Sequence, residues 1–210
     1  MKTKYYTTEK HAQILIALMK FHGVRKIVAS PGTTNICFVG SLQSDPYFEI
    51  YSSVDERSAA YIACGLARES GEPVVLSCTG ATASRNYVPG LTEAFYSNLP
   101  IVAVTSTQLT GRVGHLMEQV IDRSNPMKDI AKKSIQIGTI HTEEDGWAVG
   151  VAINDALLEM RRGGGGPVHI NLTTTYSPDY SVKELPSVKG IRRYLQQDDF
   201  PSLEGKKVLI

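Results

Sequence analysis

Short runs of consecutive apolar residues punctuate the chain: Arg25-Lys26-Ile27-Val28-Ala29, Pro73-Val74-Val75-Leu76-Ser77-Cys78, Ile101-Val102-Ala103-Val104-Thr105 and Val168-His169-Ile170-Asn171-Leu172. They are continuous rather than alternating, as in strands covered on both faces of a parallel sheet. Glu49 to Ser53 adds a further strand. Segments of helical period lie between them. Thr7 or Thr8 is placed to cap a helix that runs through Leu15, Leu18 and Met19 and stops at Gly23. Ile36 to Leu42 is a short helix. Glu56 to Glu69 puts Ala59, Ala60, Ala63 and Gly65 on a face suited to close packing on a sheet. Ser84 to Tyr96 is helical, with Pro89 and Gly90 starting or kinking it. Glu143 to Met160 is the longest helix. Strands alternating with helices predict a doubly wound α/β domain, its sheet mainly parallel with helices on both faces, over residues 1–175.

In such sheets ligands sit at the carboxyl ends of the strands. Three loops therefore matter: Ser30 to Thr34, Asp55 to Arg57 and Thr79 to Asn86. Beyond Thr173 the composition turns to Thr, Ser, Pro, Lys and Asp, which reads as a surface linker over 176–204. Residues 205–210, Gly-Lys-Lys-Val-Leu-Ile, read as a turn and the first strand of a next domain, so a longer parent protein is expected.

Composition narrows the partners. The 210 residues are 42% hydrophobic and 20% charged, with a formal net charge of +1 and no basic stripe, so neither nucleic acid nor an anionic membrane is an expected partner. No apolar run approaches the roughly 20 residues of a membrane span, and Met1 to Lys10 lacks a signal-peptide core. Cys37, Cys64 and Cys78 lie in apolar surroundings with no zinc-type spacing, which suits buried thiols in a reducing cytoplasm.

Read residue by residue, the loops leave alternatives open. Glu56 opens a helix directly after a strand, where an acid also simply suits the helix dipole. Ser30-Pro31-Gly32-Thr33 is a tight turn or a ligand loop. Thr79-Gly80-Ala81-Thr82 offers free backbone N–H groups to an anion or a polar ring. No dinucleotide fingerprint and no Walker loop occurs. Gly163 to Gly166, after Arg161-Arg162, is a flexible connection rather than a phosphate cradle. His115 lies in a Gly-rich loop open to substrate; His169 alternates within a strand and is structural.

Taken together and in order, Ser30-Pro31-Gly32-Thr33, Asp55-Glu56-Arg57-Ser58-Ala59-Ala60, Gly65-Leu66-Ala67, Cys78-Thr79, Asn86-Tyr87 with Pro89, Glu93-Ala94 and Gly166-Pro167-Val168-His169-Ile170-Asn171-Leu172 resemble the N-terminal pyrimidine-binding domain of thiamine-diphosphate-dependent enzymes over residues 10–175. Within that family the resemblance is strongest to the SEPHCHC synthases of the menaquinone pathway, which join 2-oxoglutarate to isochorismate. Acetolactate synthases and 2-oxo acid decarboxylases are more distant. The resemblance implies that Glu56 hydrogen-bonds N1′ of the cofactor's aminopyrimidine and favours the 4′-imino tautomer. That nitrogen then takes the thiazolium C2 proton and generates the ylide that attacks a 2-oxo acid. Such a carboxyl works best buried and with a raised pKa. The resemblance further assigns Pro31, Gly32, Thr33, Thr79, Gly80, Asn86 and Gln119 to the cofactor, and Thr34, Arg85, Arg112 and Glu118 to the substrate side.

The chain departs from the menaquinone synthases on that substrate side. It has Thr34 in place of their arginine, Thr79-Gly80-Ala81 in place of Thr-Ser-Gly, Glu118 in place of the asparagine of an Asn-Gln pair, and Arg85 in place of a small residue. Diphosphate is held in this family through Mg²⁺ by a Gly-Asp-Gly…Asn motif of another domain, and no Gly-Asp-Gly occurs here. The resemblance therefore implies that thiamine diphosphate and Mg²⁺ belong to the complete assembly. The diphosphate-binding domain would come from a further segment or a partner subunit, in a homodimer or tetramer, and this chain alone would be inactive. Three functions fit: a domain of a 2-oxo acid carboligase or decarboxylase; a short subunit of a two-chain sulfopyruvate or phosphonopyruvate type decarboxylase; or a non-catalytic binding module of the same fold.

Overall fold

The computed structural model describes residues 5–194, 199, 201–202 and 204–205. The apolar runs become β1 (Lys26–Ala29), β2 (Glu49–Ser52), β3 (Val74–Cys78), β4 (Ile101–Thr107), β5 (Lys133–Ile137) and β6 (Val168–Thr173). They form one sheet in the order β2-β1-β3-β4-β6-β5, with every neighbouring pair parallel. The helices are α1 (Lys10–Phe21), α2 (Ile36–Ser44), α3 (Glu56–Ser70), α4 (Thr82–Asn86), α5 (Val88–Tyr96) and α6 (Glu143–Glu159). Successive side chains of a strand point to opposite faces, so the sheet feeds two cores. Leu15, Phe38 and Leu157 cover Ile27, Val75 and Ile170 on one face; Ala60, Ala63 and Leu91 cover Val28, Leu76 and Ile101 on the other.

Local departures from the sequence expectation have physical causes. β5 was not anticipated: Lys-Ser-Ile-Gln-Ile is a half-exposed edge strand, and only a short 3-10 turn, Thr110–Arg112, stands between it and β4. Neither Thr7 nor Thr8 caps α1. Glu9 stands at the cap position, Thr7 Oγ1 accepts its N–H at 3.2 Å, and its own carboxylate is committed to the N–H and hydroxyl of Thr175 at 3.1 and 3.0 Å. The helix expected over 84–96 is two helices meeting at Tyr87, with the proline in the first turn of α5. Gly65 is not on the packed face of α3. It lies two residues, about 200° of helical rotation, from both Ala63 and Ala67, and nothing stands within 4 Å of where its Cβ would be. The close approach belongs instead to Gly90, where a Cβ would fall 2.4 Å from that of Ala60.

Residues beyond β6 run back across the surface. Val182 bridges Tyr6, the Tyr180 hydroxyl donates to the Ile36 carbonyl at 2.6 Å, and Leu185 and Val188 pack against the α1 core. The strand expected within 205–210 falls at residues 206–210, outside the described residues. The three cysteines are free and buried. Burial pushes the Cys64 thiol up to about 11 and Cys78 to about 12, which makes both unreactive. Among the described residues no helix is long and apolar enough to cross a membrane.

Asp45 ties the amino-terminal layer together. Its buried carboxylate accepts from the Tyr6 hydroxyl at 2.7 Å, Lys20 Nζ at 2.5 Å and the Tyr47 N–H at 3.0 Å. Burial alone would raise its pKa, but these donors overcome that and hold it at about 2. A depressed carboxyl stabilises the fold above its unfolded value, near 3.8, and that contribution is lost as pH falls toward 2. The expected loss is on the order of 2 kcal/mol. Urea unfolding of Asp45→Asn should show lower stability at neutral pH and a shallower loss in acid; an unchanged acid slope would remove Asp45 as its cause.

Candidate functional site

Because every strand is parallel, all the carboxyl ends share one edge. β1 lies between β2 and β3, so the chain reverses direction across the sheet there. After β1 it crosses to α2 on one face, and after β3 to α4 on the other. Diverging loops at such a switch point open a crevice, and here its walls are Ser30–Asn35 and Thr79–Ala81.

The walls are pinned from within. Asn35 accepts the Gly32 N–H at 2.9 Å and donates to the Ser30 carbonyl at 3.1 Å and to Ser77 Oγ at 3.2 Å. The Thr34 hydroxyl accepts the Gly80 N–H at 3.0 Å and donates to the Ser106 carbonyl at 3.2 Å, while its own carbonyl accepts from Thr174 Oγ1 at 2.7 Å. Gly32 faces Thr79 so closely that a Cβ would fall 2.2 Å from Thr79 Cγ2. Ala81, where the resemblance places a family glycine, holds φ at 53°, a conformation costing an L-residue about 1–3 kcal/mol.

Glu56 is the first residue of α3. Asp55 caps the helix by accepting the Ser58 N–H at 2.7 Å, which leaves the Glu56 side chain free of capping duty. It is half-buried and has no hydrogen-bond partner among the described residues. Its charge reaches Tyr87 and Cys78 as the weakest of the influences on those two buried groups. The buried Tyr87 hydroxyl lies close to the Ser30 hydroxyl and the Cys78 thiol, although neither it nor Ser30 Oγ makes a hydrogen bond of good geometry. Burial, then Cys78, hold that phenol well above its ordinary pKa, so it remains a donor. The strand ends and helix starts of this edge thus carry a carboxyl without a hydrogen-bond partner among the described residues and two buried hydroxyls. That donor and acceptor set fits a flat heterocycle with a ring nitrogen and an exocyclic amine.

The other expected residues spread outward. Pro31 and Thr33 are exposed on the first wall. Thr34 is buried and its hydroxyl is fully used between the walls. Arg85 and Asn86 are exposed on α4, with Arg85 Nη2 donating to the Asp122 carbonyl at 3.0 Å. Gln119 is exposed, with φ at 57° and its carbonyl against Gly80. Arg112 pairs with the Gln108 side chain, and both it and Glu118 sit in the exposed loop after β4. His115 shares that loop.

The sequence carries no sign of Asn35 or Arg123, and it presents Tyr87 only as part of a motif, without a role of its own. Arg123 is buried; its Nε donates to Asn171 Oδ1 at 2.9 Å and Nη1 to Ser84 Oγ at 3.2 Å. Burial lowers its pKa to about 10, so it stays charged. Burial, with Arg123 and Arg85, drives His169 down to about 3. With Thr105 at 2.8 Å and Ser134 at 2.7 Å on its two ring nitrogens, His169 is a structural group. Among the described residues no cluster of His, Cys, Asp or Glu could hold a metal.

A family model described as the thiamine pyrophosphate enzyme N-terminal TPP-binding domain matches residues 9–154. The chain belongs to this family. Its likeness to 2-succinyl-5-enolpyruvyl-6-hydroxy-3-cyclohexene-1-carboxylate synthases extends beyond the matched segment. It is 37% identical to that of Bacteroides thetaiotaomicron over 190 residues, covering 90% of the chain and 34% of the relative. It is 38% identical to that of Phocaeicola vulgatus over 191 residues, with the same coverage. The chain thus spans about a third of the length of the curated relatives it matches. Among solved structures, the thiamine diphosphate-dependent 4-hydroxybenzoylformate decarboxylase of Rhodococcus jostii superposes with a TM-score of 0.64 over 82% of this chain and 31% of that one, at 21% identity. That likeness identifies the shared fold of thiamine pyrophosphate enzyme N-terminal domains.

Proposed function

We propose that this thiamine pyrophosphate enzyme domain holds the aminopyrimidine of thiamine diphosphate in a carboligase that joins a 2-oxo acid to a second substrate. The observation that supports the reading is Glu56, a half-buried carboxyl at the start of α3 with no hydrogen-bond partner among the described residues, on the edge of the sheet where Gly32 and Thr79 approach closely. Glu56 would hold the proton at ring nitrogen N1′, and the Gly32 and Thr79–Gly80 backbone would orient the ring. When bound, the cofactor supplies the nucleophilic carbon and the electron sink that a side chain cannot. Mg²⁺ and the diphosphate would be held by residues outside this chain, either a further segment or a second subunit of a dimer. The likeness to the 2-succinyl-5-enolpyruvyl-6-hydroxy-3-cyclohexene-1-carboxylate synthases supports carboligation over simple decarboxylation. Their name suggests 2-oxoglutarate as donor, since it would leave the succinyl carbon skeleton after losing CO₂.

The test uses the full-length protein with thiamine diphosphate, Mg²⁺ and 2-oxoglutarate. Release of CO₂ should require both cofactors, and adding isochorismate should convert the donor into a ligated product seen by mass spectrometry. Absence of calorimetric binding of thiamine diphosphate in the presence of Mg²⁺ would leave only a non-catalytic module of this fold.

A further inference from the structure

The edge of the sheet opposite Glu56 carries a cavity of about 730 Å³, within the usual size of a small-molecule site. It lies where α1 and α6 end and where the chain turns into β1 and β6. Its floor is apolar, with Phe21, Leu157 and Ile191, and its rim is cationic. Arg162 and Arg193 share Glu159, at 3.3 and 3.1 Å. Arg161 and Arg192 have no carboxylate among the described residues. Arg161 reaches only the His22 carbonyl, at 3.5 Å, and Arg192 lies over the Phe21 ring, 5.2 Å from its centroid. Between them stands the glycine run set aside earlier as a flexible connection. Gly163 and Gly164 hold φ at 55° and 88°, line the same cavity, and their N–H groups meet no acceptor among the described residues. The absence of a basic stripe in the sequence concealed this patch, because its arginines come from two segments about 30 residues apart.

We propose that this cavity is a second ligand site, for an organic phosphate with an apolar body. Two guanidinium groups without a carboxylate partner among the described residues and two backbone N–H groups present more donors than a carboxylate's two oxygens satisfy. A phosphate dianion supplies three acceptor oxygens and suits the planar fork of arginine. The apolar floor selects against the bare ion. The site is independent of the catalytic reading, since its residues lie at the amino ends of the strands. The competing occupant is the chain's own acidic pair, Asp198-Asp199, shortly after Tyr194 in the sequence.

The probe is phenyl phosphate, followed by ³¹P line broadening against the full-length protein at low salt. Saturable binding is expected, about tenfold tighter than that of inorganic phosphate and about tenfold weaker in Arg161→Gln/Arg192→Gln. Turnover without phosphate should be unchanged in that variant. If the double variant fails to fold, Ile191→Glu, which puts a carboxylate on the floor, should abolish binding instead. No saturable binding, equal affinity for inorganic phosphate, or affinity unaffected by these substitutions overturns the proposal. Binding that emerges only in Asp198→Asn/Asp199→Asn would assign the cavity to the chain's own tail and overturn it too.

Discussion

Glu56→Gln in the full-length protein is expected to lower turnover by about two to four orders of magnitude, while the unfolding free energy stays within about 1 kcal/mol of the parent. The two effects separate because the fold asks little of this carboxyl. Asp55, not Glu56, caps α3, and no described residue depends on Glu56 for a hydrogen bond. What glutamine removes is the favourable charge in the first helical turn and the capacity to give and take a proton. It keeps the length and a hydrogen-bonding end, so the crevice should still admit the aminopyrimidine, and cofactor affinity should fall far less than turnover. Steady-state kinetics alongside urea unfolding and a cofactor titration distinguish these outcomes. A variant with normal turnover would refute the role of Glu56. One that loses turnover only in step with stability would reduce Glu56 to a helix-start acid.

The parts of this domain visible in the sequence are those dictated by one element at a time. Val74–Cys78 and Ile101–Thr107 are apolar on both faces because they lie inside the sheet, and their continuous runs say so without any partner. β5 escapes that logic: at the sheet edge only Ile137 is deeply buried, so Lys133–Ile137 carries no buried-strand signature. The site divides in the same way. The Ser30–Thr33 and Thr79–Gly80 loops and Glu56 are legible because strand ends and helix starts mark them. Residues recruited from afar are not. Arg123 reads as one more charge in a polar loop, and only the folded chain buries it against Asn171 and Ser84. Tyr87 reads as a helix interior, yet it stands at the break between α4 and α5 with its hydroxyl buried close to Ser30 and Cys78. Thr34 shows the converse. Its place in the first loop suggested contact with substrate, yet its hydroxyl is consumed in joining Gly80 to Ser106.

That junction makes Gly80→Ala a damaging substitution, with an expected cost of about 3 kcal/mol and a loss of cofactor affinity of about tenfold or more. A Cβ at Gly80 would lie 2.9 Å from the Gln119 carbonyl and 2.9 Å from the Ser106 carbonyl, with Arg123 Nη1 at 3.4 Å. The two carbonyls are backbone atoms, and Ser106 is held in β4 opposite Leu172 of β6. The Ser106 carbonyl has little room to move, so the Gly80 loop must retreat, and its N–H then leaves Thr34 Oγ1. The wall of the crevice moves with it. Gly32→Ala should behave differently. It meets only the Thr79 methyl, at 2.2 Å, which turning the side chain can partly relieve, so its effect falls on the shape of the crevice more than on stability. Gly65→Ala is the opposite case: an exposed position within α3 with open space around it, expected to stabilise the chain by about 0.5–1 kcal/mol. Urea unfolding of the three variants, with cofactor titration of the full-length forms, should rank them Gly65→Ala above Gly32→Ala above Gly80→Ala in stability. An unfolding midpoint for Gly80→Ala equal to the parent's would mean that the loop yields freely and that Thr34 does not lock the two walls together.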